Sequence, residues 1–129
     1  MYKTYKELGN ATKEEKQKKK IEKLSIPDAL EITSKDHRMK LVTSNRVVCI
    51  KIYATWCEPC KVTKPEYNKL ALKYNKEGEI LFASEDLELK LSQVGAVPSY
   101  LFFVNGEFLH SITGGSIEEV EKTLLSLLE

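Results

Sequence analysis

The chain has 129 residues, room for one domain with a single hydrophobic core and a short appendage. Apolar residues make up 42% and charged residues 30%, with a formal net charge of +1. That is the composition of an ordinary soluble globular protein, and it excludes a surface tuned throughout to nucleic acid. Three cysteines, Cys49, Cys57 and Cys60, are too few and odd in number for a secreted disulfide framework.

The charge is unevenly placed. Residues 1–24 carry eight Lys against four Glu, a net of +4, and the rest carries twelve basic against fifteen acidic residues, a net of −3. Residues 1–27 therefore read as a charged Lys/Glu-rich extension and residues 28–129 as the folded domain. Asn10 is placed to cap a helix over 11–24, but only Ala11, Ile21 and Leu24 offer it apolar contact. The run from Lys16 to Lys20 holds four lysines. It reads as a solvated tail, since no aromatic stacking or RNA-binding motif accompanies it; nucleic acid or an acidic partner is the rival reading. The first residues lack the apolar stretch of a signal peptide, and the strongest apolar run, residues 100–104, is too short to cross a bilayer. A protein of a reducing, cytoplasmic compartment with no membrane partner is expected.

In chain order, residues 29–33 predict a short strand. Ser34 then caps a helix over 35–43 with Met39, Leu41 and Val42 inward. Residues 46–54 form the clearest strand, β-branched and almost continuously apolar, as suits a strand covered on both faces. A long helix spans 57–75, with Val62, Tyr67, Leu70, Ala71 and Tyr74 at helical spacing and Pro65 inside it to kink it. Gly78 ends that unit. A short strand at 80–83 and a short helix or turn at 86–93 come next, followed by two strands, 99–104 and 107–112, around Asn105-Gly106, a strong hairpin signal. Ser116-x-x-Glu119 is a capping box opening a last helix whose inner face is Val120, Leu124, Leu127 and Leu128. The order β-α-β-α-β-α-β-β-α implies a mixed sheet with helices on both faces.

The chemistry sits at Thr55-Trp56-Cys57-Glu58-Pro59-Cys60-Lys61. A C-x-x-C at the end of a buried strand and the start of a helix puts both sulfurs on one side of the first turn. Cys57 meets the free amide N–H groups and the positive end of the helix dipole, which stabilise a thiolate, the attacking species. Cys60 lies one turn deeper, where it can resolve a mixed disulfide. Pro59 stiffens the turn between them. A zinc site needs about four ligands, and beyond the pair only Cys49, His37 and His110 are available, so no metal is expected. Cys49 reads as a core residue.

Taken together, these motifs resemble the thioredoxin family over residues 28–129. Trp56-Cys57-x-Pro59-Cys60-Lys61 is similar to the family's W-C-G-P-C-K, Pro65 to its helix-kinking proline, and Val97-Pro98-Ser99 to its cis-proline loop, with Asn105-Gly106 and Gly114 at its later hairpin and glycine positions. The resemblance implies a thioredoxin-like α/β fold, a central mixed sheet flanked by helices on both faces. It implies a thiol-disulfide oxidoreductase, with Cys57 as nucleophile and Cys60 as resolving cysteine. Trp56, Pro59, Val97 and Pro98 would form the substrate-docking wall. The redox-active Cys57–Cys60 disulfide would stand in for any other cofactor. The implied partners are disulfide-bearing client proteins and an electron donor, a thioredoxin reductase or glutathione.

General disulfide reduction is the leading expectation; isomerase or oxidase activity, and a non-catalytic binding or assembly module, are the rivals. Two residues depart from the family pattern and are expected to modulate the pair. Glu58 replaces a glycine, and its carboxylate opposes thiolate formation. Lys51 replaces a buried Asp; it reads either as the structural partner of Glu85 or Asp86, the favoured expectation, or as a desolvated amine that carries protons.

Overall fold

The computed structural model describes residues 26–129. The extension's predicted helix and its lysine run lie outside the described residues.

Five strands form one sheet in the order β1-β3-β2-β4-β5: β1 (Leu30–Ile32), β2 (Val47–Tyr53), β3 (Ile80–Asp86), β4 (Ser99–Val104) and β5 (Glu107–Thr113). β1, β3 and β2 run parallel, while β4 and β5 are antiparallel to their neighbours. Among the described residues, three α-helices cover the sheet: α1 (Lys35–Ser44), α2 (Glu58–Tyr74) and α3 (Ile117–Leu127).

The continuous apolar run of β2 has its cause in its position. The strand is flanked by β3 and β4, and its alternate side chains enter two separate cores. Val47 and Cys49 join Tyr67, Leu70 and Ala71 of α2 and Val120 and Leu124 of α3 on one face. Val48, Ile50 and Ile52 join Val42 of α1 on the other. Each fully buried aliphatic side chain of β2 contributes roughly 1.5–3 kcal/mol. Tyr67 fastens α2 to the sheet, its hydroxyl donating 2.7 Å to the Ala83 carbonyl and its oxygen lying 3.0 Å from that of Cys49.

Local signals behave as their chemistry dictates. Ser34 accepts from the His37 N–H at 3.1 Å and Ser116 from the Glu119 N–H at 3.3 Å, each capping its helix. Asn105 and Gly106 take φ of 51° and 84°, the left-handed pair that a tight two-residue hairpin turn demands. Pro65 lies inside α2 without ending it.

Several expectations are corrected. β3 runs on to Asp86 rather than stopping at Ala83, because parallel partners on both sides, β1 and β2, recruit the polar Ser84, Glu85 and Asp86. The predicted helix or turn at 86–93 shrinks to a 3-10 turn, Leu87–Leu89, after which the chain is irregular. Met39 is 58% and Val62 70% exposed, so neither joins the core face assigned to it. Helical spacing marks the stripe but not its edge, which the width of the sheet sets.

Candidate active site

Cys57 stands just outside α2 as its N-cap, with extended backbone, so the helix begins one residue later than the sequence suggests. The strand β2 delivers the chain to Ala54, whose carbonyl accepts the Cys57 N–H at 3.2 Å. The Cys60 N–H then points at Cys57 Sγ from 3.2 Å. A sulfur thus occupies the place of a capping oxygen, where a free helix amide and the helix dipole both favour negative charge. Glu58 and Pro59 fill the first turn, where a proline lacks only an N–H that has no partner anyway.

Cys57 and Cys60 are joined as a disulfide, with Cα atoms 5.3 Å apart. Both residues are buried at 4% and 3% exposure, whereas the adjacent Trp56 is 70% exposed. On the far side of the sulfurs, the loop leading into β4 carries a cis Val97–Pro98 peptide. The Val97 carbonyl oxygen lies 3.6 Å from Cys57 Sγ. The Pro98 carbonyl accepts the Gly114 N–H at 2.9 Å, and Ser99 Oγ donates to the Ala96 carbonyl at 2.6 Å, so this wall is fixed to β4 and to the end of β5. Cys57, Cys60 and Val97, the last of them 37 positions beyond Cys60, pack together with Ala54 and Tyr53 at the end of β2.

Lys51 lies beneath this site and is 3% exposed. Its Nζ donates to the Cys60 carbonyl at 2.9 Å and sits 5.5 Å from the centre of the Tyr67 ring. Burial, with Lys64 adding to it, brings its pKa down to about 8. The favoured pairing with Glu85 or Asp86 is overturned. Glu85 is in register with Ile52 and so points to the opposite face, where Arg38 Nη1 lies 3.2 Å from its carboxylate. The Asp86 carboxylate accepts the Glu88 N–H at 2.9 Å and caps the 3-10 turn. An opening of about 350 Å³ reaches Lys51 and Cys60, with Glu31, Tyr53 and Lys64 among its walls. Tyr53 donates to the Glu31 carboxylate there at 2.6 Å.

Sequence reasoning missed the Arg38–Glu85–Ser92 cluster. Ser92 Oγ donates 3.0 Å to Glu85, linking α1 and β3 to the loop that carries Val97. No motif marks it; the polar tail of β3 was the only hint. Among the described residues, no three of His, Cys, Asp and Glu gather as a metal site. Cys49 is buried in β2, where burial raises its thiol to about 12. His37 packs against Thr33 and His110 lies in β5. No helix among the described residues is long and apolar enough to cross a membrane.

Comparison with known proteins agrees with this geometry. The family model "Thioredoxin" matches residues 28–126. Chicken thioredoxin is 30% identical over 88 residues, which cover 64% of this chain and 81% of that protein. The oxidised form of mitochondrial thioredoxin 3 from Saccharomyces cerevisiae superposes with a TM-score of 0.68 at 26% identity, covering 76% of this chain and 94% of that one. A further yeast structure, at 25% identity and a TM-score of 0.68 over 76% of this chain and 94% of that one, concerns thiol resolution in a mitochondrial 1-Cys peroxiredoxin through the glutathione and thioredoxin systems.

Proposed function

The chain belongs to the thioredoxin family, and from that premise we propose that it is a general protein-disulfide reductase, cycling its Cys57–Cys60 pair between dithiol and disulfide. The observation that carries the reading is the sulfur at the N-cap of α2, held 3.2 Å from the Cys60 N–H beside an exposed Trp56 and the Val97–Pro98 wall.

In this reading the Cys57 thiolate attacks a client disulfide and forms a mixed disulfide, expelling one client sulfur as a thiolate. Cys60 then attacks Cys57 Sγ, closes the internal disulfide and releases the second client sulfur. Trp56, Pro59, Val97 and Pro98 receive the client backbone around the reacting sulfur, and Glu58 sets the local charge from the exposed first turn. An electron donor, a thioredoxin reductase or glutathione, restores the dithiol, and a reducing cytoplasm is the setting. The yeast peroxiredoxin structure lends support to a client of that kind.

A second reading, disulfide donation or isomerisation, is favoured by one observation, the buried cation Lys51 beneath the pair, because positive charge stabilises thiolates and so makes the disulfide a stronger oxidant. The reduction potential of the couple decides. Trp56 is the only tryptophan and adjoins Cys57, so its fluorescence in graded thiol buffers reports the redox state. A value near about −270 mV is expected for the reductase, and one between about −180 and −120 mV would overturn it in favour of the oxidant. A pair that never equilibrates leaves only a binding module.

A further inference from the structure

Among the described residues, Lys51 is the one buried cation, and no carboxylate stands at ion-pair distance from it. Such a charge is costly to bury, and the structure directs its single hydrogen bond to Cys60, the residue whose sulfur must ionise. The same opening of about 350 Å³ touches both residues and gives solvent a route to them.

The groups around Lys51 are few. From α2 come Cys60, Tyr67 and Lys64, the last 3.5 Å from the Asp28 carboxylate. Tyr53 and Cys49 share its strand, and Tyr100 opposes it on β4. From β1 comes Glu31, already hydrogen-bonded by Tyr53. Burial holds Cys49, Tyr67 and Tyr100 in their neutral, protonated forms. Glu31 and Asp28, the two acids that face this opening, are thus engaged with Tyr53 and Lys64, and the buried charge that remains free to act on Cys60 is positive.

We propose that Lys51 supplies the counter-charge for the Cys60 thiolate, so that it speeds resolution of the mixed disulfide and draws the pair toward the dithiol. This rests on the reading of Cys57–Cys60 as a redox couple. In the step concerned, Cys60 loses its Sγ proton to solvent in the opening, and the Lys51 ammonium stays beside the resulting thiolate. The thiolate attacks Cys57 Sγ. The Cys57–Cys60 bond forms, the Cys57–client bond breaks, and the electron pair leaves on the client sulfur, which takes a proton from water. The client is reduced and the dithiol oxidised, with no further reactant. Lys51 acts through charge on Cys60 and is a positioning residue.

The test uses the full chain. In a Cys57→Ser background, thiolate absorbance below pH 10 belongs to Cys60, because Cys49 ionises only near about 12. Lys51→Met and Lys51→Gln are each expected to leave about tenfold less Cys60 thiolate at a given pH below its midpoint, a rise of about one pH unit in that midpoint. In the intact pair the same substitutions are expected to favour the disulfide in glutathione buffers by up to about tenfold, a potential lower by up to about 30 mV, at pH values above the Cys60 midpoint, where the dithiol form carries that thiolate. Lys51→Arg, which keeps the charge, is expected to hold both values near wild type.

Neutral variants whose Cys60 midpoint and glutathione equilibrium match wild type overturn the proposal. So does a Lys51→Arg shift as large as that of Lys51→Met, which would point to packing rather than charge. A wild-type pair that never equilibrates with glutathione overturns the oxidoreductase reading instead, while the Cys60 midpoint still decides the role of Lys51.

Discussion

Cys57 fills an N-cap position, which Ser, Thr, Asp and Asn favour, and this sets what its replacements do. Serine can take over the capping bond to the Cys60 N–H and alanine cannot. Urea unfolding should therefore find Cys57→Ser more stable than Cys57→Ala by about 1 kcal/mol, although both lack the disulfide. Cys60→Ser should accumulate a covalent adduct between Cys57 and a client thiol, visible by mass spectrometry, and Cys57→Ser none. Lys51 makes a pH-dependent prediction. Its pKa falls from about 10.5 unfolded to about 8 folded, so between those values the unfolded chain binds more protons, and this group's contribution to stability rises with pH. Its burial penalty is complete below about pH 8 and gone above about 10.5. Lys51→Met should accordingly be more stable than wild type by about 2 kcal/mol at pH 7, and the gap should close by about pH 10.5 in urea titrations.

Among the elements, β3 shows how a polar strand end is held inside a sheet. Glu85 is 1% exposed and depends on Arg38 from α1 and Ser92 from the following loop. Arg38 also lies over the Phe103 ring, 5.2 Å from its centre, so one side chain joins α1 to β3 and to β4. Removing only the cation leaves a buried carboxylate with a single hydroxyl partner. Arg38→Met should cost about 3–5 kcal/mol at neutral pH, and adding Glu85→Gln should recover part of that loss; a double-mutant cycle in thermal unfolding measures the difference. The same cluster ties down the loop that carries Val97 toward Cys57, so residues far from the sulfurs help to hold the Val97 carbonyl against Cys57 Sγ.

For the whole molecule, β2 is the common wall of two cores, one under α2 and α3 and one under α1. Ile50→Ala on one face and Leu124→Ala on the other should each cost about 2–5 kcal/mol. The two residues lie in different clusters on opposite faces of the sheet, so their costs should add to within about 0.5 kcal/mol, and unfolding should remain one cooperative transition by near- and far-ultraviolet circular dichroism.

By itself the sequence determined what local chemistry controls. The apolar run of β2, the serine caps, the Asn105-Gly106 turn and the C-x-x-C at a strand-to-helix junction depend on residues within a few positions of one another, and each stands where it was expected. Only the tertiary structure decided the rest. The length of β3, the partner of Glu85 and the exposure of Met39 and Val62 depend on which distant strand or helix lies alongside, a contact that no local pattern encodes. Lys51 shows the division most clearly. Alternation along β2 placed it on the face of Cys49 and Tyr53, but its partner follows from the parallel register of β3, which turns Glu85 to the opposite face and leaves the ammonium to the Cys60 carbonyl.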